Sequence, residues 1–288
     1  MMYMKHLFFI TAIAFLLAGC GQKASKQEEA QEENIAQHEN IHKELNTLQV
    51  GEVKATWIQD VKSKQSPAIF PDASASLIDS LGLQDGIPSS ISTFLVQTDS
   101  TVILFDTGLG KENSRMIYLL DSVGVKPADI RYLYLTHLHG DHIGGMMNGN
   151  ERVFPHAAVY LAKQEYDGWM QMADDKKAQV VKTLNAYKAQ LHLFAFGDTL
   201  PGNVVALDAA GHTPGHTVYQ AGKLLVVGDI LHGNALQLLY PEICPTYDMD
   251  KEKAIESRKR ILDYALKNDL MLAGMHFPSP GFVSLIHA

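Results

Sequence analysis

The chain has little cysteine. Two thiols in 288 residues, Cys20 and Cys244, cannot form a disulfide framework, so the fold has to rest on its own core. It has no surplus of basic charge either. With 24 Lys and Arg against 32 Asp and Glu the formal charge is −8, which argues against nucleic acid as a partner, because phosphate binding calls for a basic face. No internal repeat at a fixed period is present, so nothing marks a solenoid or propeller. The apolar run Leu7–Ala18 has twelve residues, too short to span a bilayer, which takes about 20. What remains is ordinary for a soluble globular protein with a sizeable core: 46% hydrophobic and 19% charged residues.

The short apolar run suits an export signal. Lys5 and His6 precede it, and it ends in Leu17-Ala18-Gly19-Cys20, which resembles a bacterial lipobox. On this reading residues 1–20 are a lipoprotein signal peptide and Cys20 carries the lipid. The mature protein is then exported and lipid-anchored, facing the periplasm or cell exterior, and touches the membrane only through that anchor. Residues 21–49, rich in Gln, Glu, Lys, Ala and Asn, cannot bury enough surface to fold alone and read as a polar tether. Residues 50–288 form the folded domain.

Within that domain Ser92–Thr98 and Thr101–Asp106 alternate as strands around Asp99-Ser100, a hairpin pattern. A helix is expected over Lys111–Val123, and a strand over Asp129–Thr136. Ala157–Leu161, Val204–Ala209, Thr217–Gln220, Leu224–Asp229 and Leu270–Ala273 read as further strands. A long helical stretch is expected over Lys163–Leu191, and another over Met249–Lys267 with Asp248 or Asp250 as its cap. Strands and helices intermix, which points to an α/β sandwich with helices outside two sheets.

Thirteen histidines are more than such a chain usually carries, and their placement carries the chemistry. His137 and His139 are two apart, so on an extended segment both imidazoles point to one side. Asp141 and His142 follow, Gly140 lets the backbone bend, and Gly144-Gly145 allow close approach where a helix begins. Imidazole and carboxylate ligands without cysteine fit Zn²⁺, Mn²⁺, Fe or Co rather than a structural Cys-rich zinc site.

Thr136-His137-Leu138-His139-Gly140-Asp141-His142-Ile143-Gly144-Gly145 resembles the signature of the metallo-β-lactamase superfamily. Four further segments resemble the other motifs of that family in order: Phe105-Asp106-Thr107-Gly108, Gly211-His212-Thr213-Pro214-Gly215-His216-Thr217, Gly228-Asp229 and Gly274-Met275-His276. The resemblance implies an αββα sandwich, two mixed sheets with helices on the outer faces. It also implies two divalent metal ions, zinc foremost. His137, His139 and His212 would hold the first, Asp141, His142 and His276 the second, and Asp229 would bridge them. A water between the metals would lose its proton near neutral pH and attack a carbonyl or phosphoryl centre, with Asp141 as a candidate proton shuttle.

Three more residues carry expectations. His216 reads as a group that orients the loop of His212. His232, three residues past Asp229, is a candidate hydrogen-bond donor to substrate or a structural histidine. Asp106 resembles a family aspartate that braces the metal loops. His6, His156 and His192 read as ordinary.

The order of motifs from Gly228 to Gly281, including Asp248-Met249-Asp250, Ser257-Arg258 and Phe277-Pro278-Ser279-Pro280-Gly281, resembles the subgroup that contains methyl parathion hydrolase and some acyl-homoserine-lactone lactonases. That implies a small-molecule substrate with an ester-type bond: a lactone, an aryl ester or a phosphotriester. Phe277 and Leu236–Tyr240 are candidates for the pocket wall or for plain core. His232 stands where some lactonases carry a tyrosine. A β-lactamase, an iron-dependent redox member, or a non-catalytic metal-binding lipoprotein are the alternatives, and no flavin-binding domain accompanies the cluster. The chain ends at Ala288, twelve residues past His276, where members of the subgroup continue through a further strand or two.

Overall fold

The computed structural model describes residues 43–98 and 100–286. The expected signal peptide with His6 and Cys20, the expected tether up to residue 42, and Asp99 of the expected hairpin turn lie outside the described residues.

The first half of the domain builds a seven-stranded sheet. Its strands are β1 (Leu45–Val50), β2 (Val53–Gln65), β3 (Ile87–Gln97), β4 (Val102–Phe105) and β5 (Tyr132–Tyr134), followed after a small hairpin, β6 (Met147–Asn148) and β7 (Glu151–Arg152), by β8 (Ala158–Ala162) and β9 (Leu191–Phe194). The order is β1-β2-β3-β4-β5-β8-β9, antiparallel from β1 to β4 and parallel from β4 to β9. The second half builds a six-stranded sheet in sequence order, β10 (Thr199–Leu200), β11 (Val204–Asp208), β12 (Thr217–Ala221), β13 (Leu224–Gly228), β14 (Met271–Gly274) and β15 (Phe282–Ser284). Only β13 and β14 pair in parallel there. The tether expected up to residue 49 thus includes a strand, β1.

The apolar run of β13 shows why the sheets sandwich. Leu224 and Val226 face the core between the sheets, with Trp57, Phe94, Phe105, Tyr134 and Tyr219. Leu225 and Val227 face the other way, into a second cluster. A strand buried on both faces reads as a continuous hydrophobic run. Ile261 and Ala265 close that second cluster from the long helix Lys251–Asn268. The expected αββα arrangement holds.

Two expected helices differ. The stretch Lys111–Val123 is helical only over Met116–Ser122. Asp60 explains the late start: it sits at a bulge in β2, and its Oδ1 accepts from Arg115 N (2.8 Å), Met116 N (2.8 Å) and the Ser114 hydroxyl. A bulge re-aims its side chain, and a carboxylate there satisfies the helix's free N–H groups. The stretch Lys163–Leu191 is two helices, Lys163–Met170 and Asp174–Ala186, with β9 taking the end. Asp174 and Asp175 open the second helix, where acidic side chains suit the helix dipole. Of the two candidate caps, Asp250 is the one used, accepting from Lys253 N (3.1 Å).

Candidate metal centre

Every histidine cluster residue sits just past the end of a strand, along one edge of the sandwich. Asp106 follows β4, His137–His142 follow β5, Asp229 follows β13, and His276 follows β14. His212 lies in the turn that leads into β12. Strand C-termini in open α/β sheets are where chemistry is usually grafted.

The loops are pinned before the ligands are. Asp106 adopts a left-handed backbone (φ 58°), which Asp tolerates better than most residues. Its carboxylate accepts from Thr136 N (2.8 Å), Thr136 Oγ1 (2.6 Å) and His142 Nδ1 (2.7 Å). The bracing expected of Asp106 is therefore present. A Cβ on Gly144 would lie 2.0 Å from the Leu109 carbonyl oxygen, and one on Gly145 2.1 Å from that of Thr107. Those two positions accept no side chain without moving the backbone. Glu165, fully buried, ties two ligand loops together: Oε1 accepts from Leu138 N (3.0 Å) and Trp169 Nε1 (2.7 Å), and Oε2 from Gly215 N (2.7 Å). Burial raises its carboxyl pKa, and those hydrogen bonds offset part of that cost. His216 Nε2 accepts the backbone N–H of Asp229 (2.9 Å), so it orients the aspartate as well as its own loop.

The seven residues of the two expected ligand sets converge. His137, His139, His212 and Asp229 offer donor atoms all within 4.8 Å of one another, and so do Asp141, His142 and His276. In the first set His139 Nδ1 lies 2.9 Å from His137 Nε2 and 3.0 Å from His212 Nε2. Asp229 Oδ2 is 3.3 Å from His212 Nε2. In the second, His142 Nε2 is 3.1 Å from Asp229 Oδ1, and His276 Nε2 is 3.1 Å from Asp229 Oδ2. Asp141 Oδ2 stands 3.8 and 3.7 Å from those two imidazoles.

The outer ring nitrogens decide what the inner ones carry. His142 Nδ1 donates to Asp106, His212 Nδ1 to Asp248 Oδ1 (2.9 Å) and His276 Nδ1 to Ser90 O (2.8 Å). A neutral imidazole that donates from one nitrogen presents a lone pair on the other. Three such lone pairs then aim at carboxylate oxygens. His142 Nε2 and Asp229 Oδ1 are both buried without a hydrogen-bond partner. Acceptors facing acceptors in a dry pocket need a positive charge between them, from a proton or a cation. Protons give an uneven solution. Against burial, Asp229 and Asp141 hold His142 and His276 protonated above the ordinary histidine range, while burial keeps His137 far below it and His139 down to about 3. Asp229 itself, despite burial, is held well below the usual carboxylate range by His142, His276 and His137. The donor sets, His137, His139, His212 and Asp229 in one and Asp141, His142 and His276 in the other, offer nitrogen and oxygen without sulfur and suit divalent cations.

Above the cluster lies a cavity of about 330 Å³ lined by Gln65, Asp141, His232, Tyr247 and His276 among others. His232 is buried, with Nε2 3.1 Å from Asp229 Oδ2 and its ring stacked on His276 at 5.0 Å. Burial lowers its pKa to about 4. Phe277 does not line the cavity. It is buried in the cluster under the long helix with Ile230, Leu231 and Ile261, so the core reading holds for it. Leu236 is core as well, and Leu239 points to solvent at 64% exposure. His192 is an exposed strand residue stacked on Tyr160. Five functional neighbours carried no sequence expectation for the site: Asp60, Gln65, Glu165, Tyr247 and, as a partner of His212, Asp248.

A family model described as the metallo-β-lactamase superfamily matches residues 86–276. The chain belongs to that superfamily. An N-acyl homoserine lactonase of Bacillus cereus is 26% identical over 199 residues, spanning 60% of this chain and 76% of the relative. Among solved structures, hydrolase AbOPH of the β-lactamase superfamily is 28% identical with a TM-score of 0.75, covering 83% of this chain and 92% of its own. AidC, a dizinc quorum-quenching lactonase solved with a product, N-hexnoyl-L-homoserine, is 26% identical with the same TM-score of 0.75 and the same coverage of 83% and 92%. This superfamily member is a metal-dependent hydrolase.

Proposed function

We propose that this hydrolase works with two divalent metal ions, zinc foremost, on an ester-type bond of a small molecule. The reading assigns His137, His139 and His212 to one ion, Asp141, His142 and His276 to the other, and Asp229 to both. The observation that carries it is the buried, partnerless Asp229 Oδ1 facing an equally partnerless His142 Nε2, while Oδ2 faces His212. Oδ1 thus addresses the second set, and Oδ2 lies between the two, 3.3 Å from His212 Nε2 and 3.1 Å from His276 Nε2. Cations held there would supply an acidified water, its pKa lowered from about 15.7 to about 7, and a Lewis acid for the carbonyl or phosphoryl oxygen.

The chain's own residues supply the rest. Asp106, Asp248 and the Ser90 carbonyl fix the ring orientation of His142, His212 and His276, so the ligands need no reorganisation when they bind. His232 places its Nε2 3.1 Å from Asp229 Oδ2 and limits how that carboxylate can turn. Asp141, with 28% side-chain exposure against 3% for Asp229, is the ligand carboxylate that solvent reaches. A proton leaving the site passes by its Oδ2.

Kinship with lactonases supports a lactone, aryl ester or phosphotriester over a β-lactam. The export reading adds that the domain is carried on a lipid at Cys20, which palmitate labelling of the full chain against Cys20→Ala tests directly. For the activity, metal analysis is paired with a panel of a lactone, an aryl ester, a phosphotriester and a β-lactam. Two metals per chain and turnover on the ester-type members are expected. Two metals with no turnover on any ester, or β-lactam turnover alone, overturns the reading.

A further inference from the structure

Asp248 touches one of the two ligand sets and not the other. Its Oδ1 accepts from His212 Nδ1 (2.9 Å), and its Oδ2 accepts from Arg258 Nη2 (3.0 Å). The side chains of Asp248 and Arg258 are 0% and 1% exposed. Arg258 lies on the inward face of the helix Lys251–Asn268, beside Ala254, Ser257 and Ile261. Its Nε donates to Ile230 O (2.5 Å), the residue after Asp229, and its Nη1 to Pro241 O (2.8 Å). The matching carboxylate on the other set is Asp106, which follows β4 of the seven-stranded sheet and takes His142 Nδ1.

We propose that Asp248 is the positioning residue of the His137–His139–His212 cation site alone, with Arg258 holding it in place. The inference rests on the two-metal reading above. A carboxylate on the outer nitrogen of a ligand histidine fixes its tautomer and raises the basicity of the inner nitrogen. Asp248 holds this dry position with its second oxygen fixed by the Arg258 guanidinium at 3.0 Å, so the first is left aimed at His212. The simpler account is a buried ion pair that staples the segment 230–248 to the helix. Such a staple would serve both cation sites alike, since Arg258 also grips the backbone beside the shared Asp229. The direct His212 bond is what makes the effect one-sided.

The experiment uses single-site backgrounds of the full chain. In His276→Ala the first site is the one left complete, and adding Asp248→Asn is expected to weaken zinc binding about 10- to 100-fold in competition with a chromophoric chelator. In His139→Ala the second site remains, and adding Asp248→Asn is expected to leave zinc affinity unchanged. Equal loss in both backgrounds, or no loss in His276→Ala, overturns the proposal. If Asp248→Asn does not fold by far-UV circular dichroism, Asp248→Glu, which keeps the charge and displaces the acceptor by a methylene, carries the same comparison. A parental chain that holds one ion breaks the two-metal reading, and the His276→Ala pair still decides the role of Asp248.

Discussion

The floor of the cavity and its mouth are built on different terms. On the floor, the ligands follow strand ends, the loops interlock at glycines, and the outer nitrogens of His142, His212 and His276 are tied. At the mouth, Gln65 and Tyr247 face each other across one hydrogen bond of 3.1 Å, and Tyr247 is 39% exposed. The floor is over-determined, so it can hold like-charged and dry groups in an arrangement they would not adopt unaided. The mouth is held by little, so it can vary without disturbing the chemistry. Substitutions should therefore sort by layer: floor changes should move metal content and stability, and mouth changes should move substrate preference.

The largest break is expected from Asp229→Ala. It removes the one carboxylate that addresses both sets, and turnover should fall by at least the roughly 10²–10³-fold that one lost electrostatic stabiliser costs. Metal analysis should show fewer than two ions per chain. Full activity with two ions retained would end the bridging assignment. Next comes Glu165→Ala, which strands the buried N–H groups of Leu138, Gly215 and Trp169. At about 1–3 kcal/mol for each group left unsatisfied, chemical denaturation should show a loss of several kcal/mol. A midpoint matching the parent would mean that water replaces Glu165 and the clamp is idle.

Much of the floor was legible because its ligands fall in short, contiguous segments. His137 to His142 declare themselves by type and spacing, and Gly144-Gly145 by the absence of side chains beside them. Of the supporting carboxylates Asp106 was legible by resemblance and Asp248 stood in a subgroup motif, but the partners of Asp60, Glu165 and Asp248 were not legible. Asp60, Glu165 and Asp248 act across 49, 27 and 36 residues of sequence, and no local period marks such a partner. Asp248 even mimicked a helix cap two residues from the true one. Arg258 did leave a trace, a charge on the face that also carries Ala254, Ile261 and Ala265, where an apolar residue belongs. The fold's sandwich was readable from β13, apolar on both faces. β1 and β2 were missed; in β2 Gln59 and Asp60, polar yet buried at the bulge, break the alternation.

Acidity should separate the layers as well. In the metal-free protein His142 and His276 hold protons above the ordinary histidine range, and His212 up to about 9, against burial, through Asp229 and neighbouring carboxylates. At about 9 His212 is protonated at pH 7, and the upward shifts of His142 and His276 act in the same direction, so cation uptake has to displace protons. Zinc affinity should then rise with pH through about 9, where His212 gives up its proton, and fall on acidification. Titration calorimetry in buffers of different ionisation enthalpy should report net proton release at pH 7. No release would mean that these rings are neutral before the cation arrives, against the proton-holding role of Asp229 and its neighbours.

The smallest effect is expected from Tyr247→Phe, and it tests the other side of the contrast. The change removes the hydroxyl that donates to Gln65 Oε1 and leaves the ring that packs on His232 at 5.2 Å. A partly exposed hydrogen bond contributes little, so stability should stay within about 0.5 kcal/mol of the parent. Both ions should remain, because neither residue belongs to either ligand set. What should move is KM, and unevenly. The 330 Å³ cavity lies at the small end of the roughly 300–1,000 Å³ range typical of ligand sites. Freeing Gln65 from Tyr247 widens the mouth, so an ester series of increasing acyl length should gain most at its long end, with kcat steady. A uniform fall in kcat with KM unchanged would place the Tyr247 hydroxyl in the chemistry and move it from the mouth to the floor.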